Sequence, residues 1–129
     1  MNEEIKADWL TALRSGEYRQ GKGSLKSQGM QGDGLSYCCL GVLCELAVKA
    51  GIVENSKVDE DAFIHTFDGH FTYLPPEVAA WAGINREGRI YLEGDSSGYS
   101  DRLASVDLAE LNDYKLDFAG IADVIEREF

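Results

Sequence analysis

The chain has 129 residues, 44% of them hydrophobic, and its formal net charge is -11. This size and hydrophobic content suit one packed domain and exclude a disordered chain, and the excess of acids argues against general binding to nucleic acid, because phosphates repel a negative surface. The sequence has no run of 18 apolar residues and no signal-like N-terminus, so we expect a cytoplasmic protein that does not enter a membrane.

The N-terminal segment predicts a helix followed by a long polar connection. Asn2 can cap this helix, because an Asn side chain accepts hydrogen bonds from the free amides of a first turn. Apolar residues recur at helical spacing as far as Leu13, and Gly16 suits the position that ends a helix. Residues 16–34 are rich in glycine, and a connection of this length in a small domain favours a functional or partly ordered segment.

A second helix is predicted from about Tyr37 to Ala50, ending at Gly51. The spacing of its apolar residues places five of them on one face: Cys39, Val42, Leu43, Leu46 and Ala50. Leu40 and Ala47 widen this face, so we expect this helix to be the most buried element of the protein.

The stretch AFIHTFDGHFTYL predicts a β-hairpin. Its pattern changes to a period near two on both sides of Asp68-Gly69, a dipeptide that favours a two-residue turn. Such a turn would place four pairs of residues opposite each other: Phe67 with His70, Thr66 with Phe71, His65 with Thr72, and Ile64 with Tyr73.

The C-terminal half predicts several short elements. In order, they are a helix from Pro75 to Gly83, a strand at 89–92, a Gly- and Ser-rich loop at 94–98, a brief helix capped by Asp107 with Glu110, a turn at Asn112-Asp113, and a last helix from about Asp117. With no internal repeat and no linker, the prediction is one α+β domain over residues 1–129, with four to five helices and a small antiparallel hairpin or sheet.

A basic island at residues 14–26 interrupts this acidic chain. It holds four of the twelve Lys and Arg residues against a single acid, Glu17, and three glycines lie among the bases. Residues 16–22 fit the GxxxxGK spacing of a phosphate-binding P-loop. However, Gly23 stands where Ser or Thr should bind magnesium, and the loop follows a helix where the motif requires a strand. A true P-loop is therefore disfavoured.

A looser anion site in the basic island remains physically sensible. Arg side chains bind phosphate through a bidentate fork, and backbone amides of a glycine-rich loop can add donors. A tyrosine in the loop can stack on a base. The predicted ligand-binding residues are Arg14, Tyr18, Arg19, Gln20, Gly21, Lys22 and Gly23. The alternative is a solvated polar loop whose bases balance the surrounding acids.

The cysteines and histidines do not predict a strong metal or catalytic site. His65 and His70 share a face of the predicted hairpin with Asp68 at its tip, but two ligands on a turn make a weak metal site. On a helix, the three thiols point in separate directions and cannot bind one ion together, so we expect them to pack in the core: Cys38, Cys39 and Cys44. We expect no metal and no cofactor.

Four strings carry a family likeness: WLTALRSGEYRQGKGSL, YCCLGVLCELA, LPPEVAAWAGI, and LAELND followed by FAGIADVIE. They span roughly residues 9 to 126 and resemble a family of small proteins of unknown activity from bacteriophages, prophages and some bacteria. Other members usually have a small residue after LND, where this chain has Tyr114. The resemblance implies an accessory protein made in a bacterial cytoplasm during infection or lysogeny, and it implies no reaction and no catalytic residues.

We therefore expect a non-enzymatic protein that binds an anionic, nucleotide-like small molecule through the basic island and sequesters a host defence signal. The main alternative is an acidic inhibitor whose surface mimics nucleic acid on a host enzyme. A hydrolytic enzyme is disfavoured because no triad, paired-carboxylate or metal spacing is present, but Asp101, Asp107 and Asp113 could converge in the fold. The oligomeric state stays open.

Overall fold

The structure is a computed structural model that describes residues 1–29, 34–59, 63–92 and 104–129. In this part of the chain, five helices and six short strands alternate, which confirms the α+β class. In chain order the elements are α1 (Glu3–Arg14), β1 (Lys26–Gln28), β2 (Leu35–Tyr37), α2 (Cys39–Lys49), β3 (Lys57–Asp59), β4 (Ile64–Thr66), α3 (Pro76–Ala82), β5 (Arg89–Leu92), β6 (Ala104–Asp107), α4 (Leu108–Tyr114) and α5 (Phe118–Glu128). The predicted loop at 94–98 lies outside the described residues.

The first helix has the predicted cap and the predicted buried face. The Asn2 Oδ1 atom accepts hydrogen bonds from the amides of Glu4 at 3.0 Å and Ile5 at 3.1 Å. Ile5, Trp9 and Leu13 are buried, and the Trp9 indole donates to the Cys39 carbonyl at 2.9 Å. These contacts fix α1 against α2.

The second helix is the centre of the core, and α1, α3, α4 and β2 all pack against it. It begins at Cys39, two residues later than predicted, because Tyr37 belongs to a strand. Gly41 allows β1 to approach, since a Cβ atom at this position would overlap the Leu25 carbonyl. Ala50 was predicted on the buried face, but it is the exposed residue that caps the helix end.

A four-stranded antiparallel sheet has the strand order β2-β1-β4-β3. Two of these strands, β1 and β2, lie in segments that the sequence predicted as connecting loop or helix. In the central strand β1, Lys26 pairs with Tyr37 on one side and with His65 on the other. The register therefore places Tyr37, Lys26 and His65 side by side on one face of the sheet.

The predicted hairpin is correct at its turn and in its first strand, β4, and wrong in the strand that follows the turn. Phe67 and His70 exchange backbone hydrogen bonds of 2.8 and 2.9 Å around Asp68-Gly69. Beyond this pair the predicted ladder does not form, because β4 already has β1 on one side and β3 on the other. The returning segment turns away instead, and the Phe71 carbonyl accepts a hydrogen bond from the Leu25 amide at 2.7 Å.

The C-terminal elements follow the prediction except at the Asn112-Asp113 turn and at the Asp107 cap. The helix that ends at Gly83, strand β5 and the last helix lie as expected, and Asp117 caps α5 by accepting from the Gly120 amide at 2.9 Å. The predicted turn at Asn112-Asp113 is wrong, because α4 continues through both residues to Tyr114. Asp107 is the N-cap residue of α4, but its side chain makes no capping hydrogen bond.

Candidate functional site

The basic island folds back onto the edge of the four-stranded sheet. The Gly21 amide donates to the Tyr37 carbonyl at 2.7 Å, and the Tyr37 amide donates to the Arg19 carbonyl at 2.8 Å. A Cβ atom at Gly21 would lie 2.6 Å from the Ser36 Cβ, so this close approach requires glycine. The Gly21 amide, predicted to face a ligand, is thus already bonded to β2.

Asn112 holds the island in place from the opposite side. This residue is 1% exposed, and its Nδ2 donates to the Gly21 carbonyl at 2.8 Å. Its Oδ1 accepts from the Gln20 side chain at 3.0 Å and from the Cys39 amide at 3.2 Å. One buried amide therefore joins the loop, α4 and the start of α2, with donor and acceptor both satisfied.

Two further predicted ligand donors make contacts within the protein. The Gln20 Nε2 also donates to the Leu116 carbonyl at 2.9 Å, and the Gly23 amide donates to Asp113 Oδ1 at 3.1 Å. An anion could use these donors only if the bonds to the C-terminal region broke. The structure thus gives Gln20 and Gly23 a role in fixing the loop, and their binding role stays a prediction.

Arg14 faces the last helix. Its Nη2 atom lies 2.9 Å from Asp123 Oδ1 and 3.0 Å from Glu126 Oε2. These two hydrogen bonds, Glu126 first, raise the pKa of Arg14 above its usual value. Because two carboxylates already neutralise its charge, Arg14 is less available to a phosphate than an unpaired base would be.

Tyr18 forms an aromatic pair at the edge of the island. Its ring meets Tyr37 edge to face, with centroids 5.1 Å apart. Lys49, from the end of α2, donates to the Tyr18 hydroxyl at 3.2 Å, and its ammonium lies 5.9 Å from the ring centroid. This hydrogen bond is the main cause that raises the pKa of Lys49, so the side chain carries a full positive charge.

Arg19 and Lys22 lie in the same loop as Tyr18. Both side chains are exposed, and within the described part of the chain Lys22 makes no side-chain hydrogen bond or ion pair. We call Tyr18, Arg19, Lys22 and Lys49 the loop face. Lys49 was missed by the sequence analysis, because it comes from a helix 31 residues away from Tyr18.

The fourth base of the island is buried. Lys26 donates to Glu45 on α2 at 2.6 Å, and the two side chains are only 7% and 14% exposed. The Lys26 ammonium also lies 5.5 Å from the ring centroid of Tyr37 and 5.8 Å from that of Phe67. This residue belongs to the interior of the fold and not to the loop face.

His65 lies beside this ion pair. Its Nδ1 is 2.9 Å from the Ser56 hydroxyl, and its buried Nε2 has no hydrogen-bond partner in the part of the chain that the structure describes. Burial, and then the charge of Lys26, lowers the pKa of His65 below its usual value, with Glu45 acting in the opposite direction. The surroundings thus favour the neutral imidazole.

The cysteines are inert core residues, as predicted. All three are buried and free: Cys38, Cys39 and Cys44. Burial raises the pKa of the Cys38 thiol to about 12 and raises the other two well above the usual value. A thiol that stays protonated is a poor nucleophile and a poor metal ligand.

The described residues contain no cluster of three or more His, Cys, Asp or Glu side chains that could hold a metal ion. Two of the three acids considered for hydrolysis make unrelated contacts: Asp107 pairs with Arg89 at 3.3 Å, and Asp113 accepts from Gly23. The third, Asp101, lies outside the described residues.

Two clefts lie away from the loop face. One has a volume of about 380 Å³ and carries the charged side chains of Glu54, Lys57, Asp68 and Glu77. The other, about 130 Å³, is lined by Gly69, His70, Phe71, Thr72, Tyr73 and Arg86. The sequence predicted neither cleft, because the lining residues come from separate segments of the chain.

Comparison with known proteins identifies the family. The whole chain, residues 1–129, matches the family described as a domain of unknown function, DUF8296. The protein belongs to this family. No curated protein and no solved structure matches the chain. Among the described residues, no helix is both long and apolar enough to cross a membrane.

Proposed function

We propose that this DUF8296 protein is a non-enzymatic binding protein for an anionic, nucleotide-like small molecule, and that the ligand docks on the loop face. One observation carries the proposal: Lys49 contacts Tyr18, which lies in the same loop as the exposed cations Arg19 and Lys22. Tyr18 thus contacts one positive charge and lies in a loop with two more, in a chain whose net charge is -11.

The chemistry of these groups suits a nucleotide. A base can stack on a tyrosine ring, and Lys and Arg side chains bind phosphate oxygens. The Tyr18 ring is already oriented by Tyr37 and by Lys49. The loop backbone is fixed by Asn112, so binding would cost little ordering entropy. Arg14 and the amides of Gly21 and Gly23 are not needed for this version of the site.

The biological part of the proposal comes from the motif resemblance. In a bacteriophage or prophage setting, a protein that captures a nucleotide signal without converting it would reduce the free concentration of that signal in the host. Sequestration requires tight, stoichiometric binding and no turnover. It therefore predicts an unchanged ligand after prolonged incubation with the protein.

Calorimetric titration of the full chain with AMP, ATP and a cyclic dinucleotide, at fixed low ionic strength, tests the proposal. We expect at least one ligand to bind with a one-to-one stoichiometry, and we expect Lys22→Ala to weaken its affinity by about fivefold to tenfold, as for loss of a charge-assisted contact. Lys115→Ala is the matched control, because Lys115 is also an exposed lysine but lies after α4. Affinities weaker than millimolar for all three ligands, or equal effects of both variants, would overturn the proposal.

The second candidate function is an acidic inhibitor of a host protein, and the net charge of -11 favours it. In a pull-down from host lysate, such a protein would bind one partner stoichiometrically, and added salt would weaken the complex. Lys22→Ala would leave that complex intact, because the contacts would come from carboxylates. This outcome distinguishes the two functions.

A further inference from the structure

The smaller cleft contains a guanidinium that the fold holds in a fixed position. Arg86 Nε donates to the Leu74 carbonyl at 2.8 Å, and the Leu74 amide donates to the Arg86 carbonyl at 3.0 Å. These reciprocal bonds join the residue that precedes Pro75 to the turn after α3. The guanidinium is half-buried and lines a cleft of about 130 Å³.

His70 completes the polar part of this cleft. Its Nδ1 lies 3.0 Å from Arg86 Nη2. A guanidinium only donates hydrogen bonds, so Nδ1 must accept, and the proton of the neutral imidazole is then on Nε2. Arg86 uses one N–H on Leu74 and one on His70, and its other three donors have no partner among the described residues.

Among the residues that the structure describes, Arg86 has no counter-ion. Within the described part of the chain, Arg14, Arg89 and Arg127 each form an ion pair with a carboxylate, whereas Arg86 forms none. A half-buried arginine with unused donors, in a protein with 23 acidic residues, favours an external anion on physical grounds, because burial of an unpaired charge is costly.

Two aromatic side chains flank these donors. Phe71 is 49% exposed and Tyr73 is 38% exposed, which is high for large apolar residues. The backbone of Phe71 is tied to the sheet through the 2.7 Å hydrogen bond from the Leu25 amide. We call the exposed rings of Phe71 and Tyr73 the aromatic wall. The Phe71 backbone is anchored, and a flat apolar surface of this kind complements another aromatic ring.

We propose that the cleft formed by His70, Phe71, Tyr73 and Arg86 binds a small aryl anion, in which a phosphate or carboxylate is attached directly to an aromatic ring. The anionic group meets the unused donors of Arg86 and the Nε2–H of His70, and the ring packs against Phe71 and Tyr73. A cleft of about 130 Å³ accommodates one anionic group with one ring and is too small to enclose a nucleotide. This site is therefore independent of the loop face.

Titration of the full chain with phenyl phosphate, followed by NMR of the backbone amides and arginine Nε groups, tests this site. We expect shifts at His70 to Tyr73 and at the Arg86 Nε, and an affinity about tenfold higher than that of inorganic phosphate, because the ring adds apolar contact. Phenol tests the contribution of the anionic group, because it has the ring without the phosphate. We expect it to bind more weakly than phenyl phosphate. Equal affinity for phenyl phosphate and inorganic phosphate would overturn the assignment of the aromatic wall.

Two variants separate binding from folding. Arg86→Lys retains a positive charge but loses the fork, and we expect a loss of about tenfold in phenyl phosphate affinity. Because Arg86 also holds Leu74, the second variant is Tyr73→Ser, which removes ring contact without touching that bond; we expect a loss of about fivefold. Circular dichroism confirms that each variant is folded. Unchanged affinity in a folded Tyr73→Ser protein contradicts the proposal.

The loop-face variant serves as the control for location. Lys22→Ala should leave phenyl phosphate affinity unchanged, whereas it should weaken nucleotide binding. If Lys22→Ala instead abolishes phenyl phosphate binding, the anion binds at the loop face and the cleft assignment is wrong. Conversely, failure of nucleotide binding leaves the expected Arg86 shifts intact, so the two proposals fail separately.

Discussion

Asn112 caps a helix to which it does not belong. Its Oδ1 accepts the hydrogen bond of the Cys39 amide at 3.2 Å, at the start of α2. Cys38, the N-cap residue of that helix, makes no side-chain capping bond of its own. The same Asn112 side chain donates to the Gly21 carbonyl at 2.8 Å, so one residue of α4 fixes both the central helix and the basic island.

Removal of this side chain should destabilise the whole protein. Asn112→Ala leaves the Cys39 amide and the Gly21 carbonyl without their partner, and we expect the free energy of unfolding to fall by about 3 kcal/mol, as for buried groups left unpaired. Urea unfolding measures the change. The matched control is Asn55→Ala at an exposed asparagine, with an expected loss of about 0.5 kcal/mol or less. Equal losses in both variants would show that Asn112 does not hold the loop.

The buried Lys26–Glu45 pair predicts strong coupling between the two residues. Lys26→Met leaves the Glu45 carboxylate, 14% exposed, without its partner, and we expect a loss of about 3 kcal/mol in the free energy of unfolding. The double variant with Glu45→Leu should recover most of this loss, because no charge then remains buried. A double-mutant cycle by urea unfolding measures the coupling, and additive effects would contradict it.

His65 predicts a decrease in stability on mild acidification. Burial and Lys26 lower its pKa in the fold below the usual 6.5, so the unfolded chain binds more protons in the interval between the two pKa values. The free energy of unfolding therefore falls as the pH drops through this interval and is fully restored above 6.5. His65→Gln should lose this part of the pH dependence in unfolding curves. The same slope in the wild-type protein and the variant would show that His65 is not its origin.

Glu17 should oppose ligand binding at the loop face. This exposed carboxylate belongs to the loop and lies close enough to act on the charge of Lys49. Glu17→Gln should raise nucleotide affinity by about twofold, because it removes repulsion of the phosphates, and added salt should reduce the gain. Calorimetry of Glu17→Gln against Glu110→Gln, a change at an exposed carboxylate of α4, separates this local effect from the change in net charge.

The sequence by itself determined the helices whose signals are local. The Asn2 cap, the Pro-Pro start and Gly83 end of α3, and the Asp117 cap of α5 each act within one turn, so the pattern of neighbouring residues was sufficient. The core role of the cysteines was also predictable, since cysteine is among the residue types most often buried. The Asp68-Gly69 turn was also predictable from the sequence. The strands with which β4 pairs were not.

Only the tertiary structure decided strands β1 and β2 and the candidate sites. β1 and β2 are three residues long, which is too short for a clear hydrophobic period. β1 also pairs with β4, which lies far along the chain. Asn112 was predicted to form a turn because its partners lie 73 to 92 residues away. The sequence grouped Lys26 with the other bases of the island, because its partners Glu45 and Phe67 come from other elements. Local hydrogen bonds specify helices, whereas the exposure of a charge depends on the neighbours that folding brings to it.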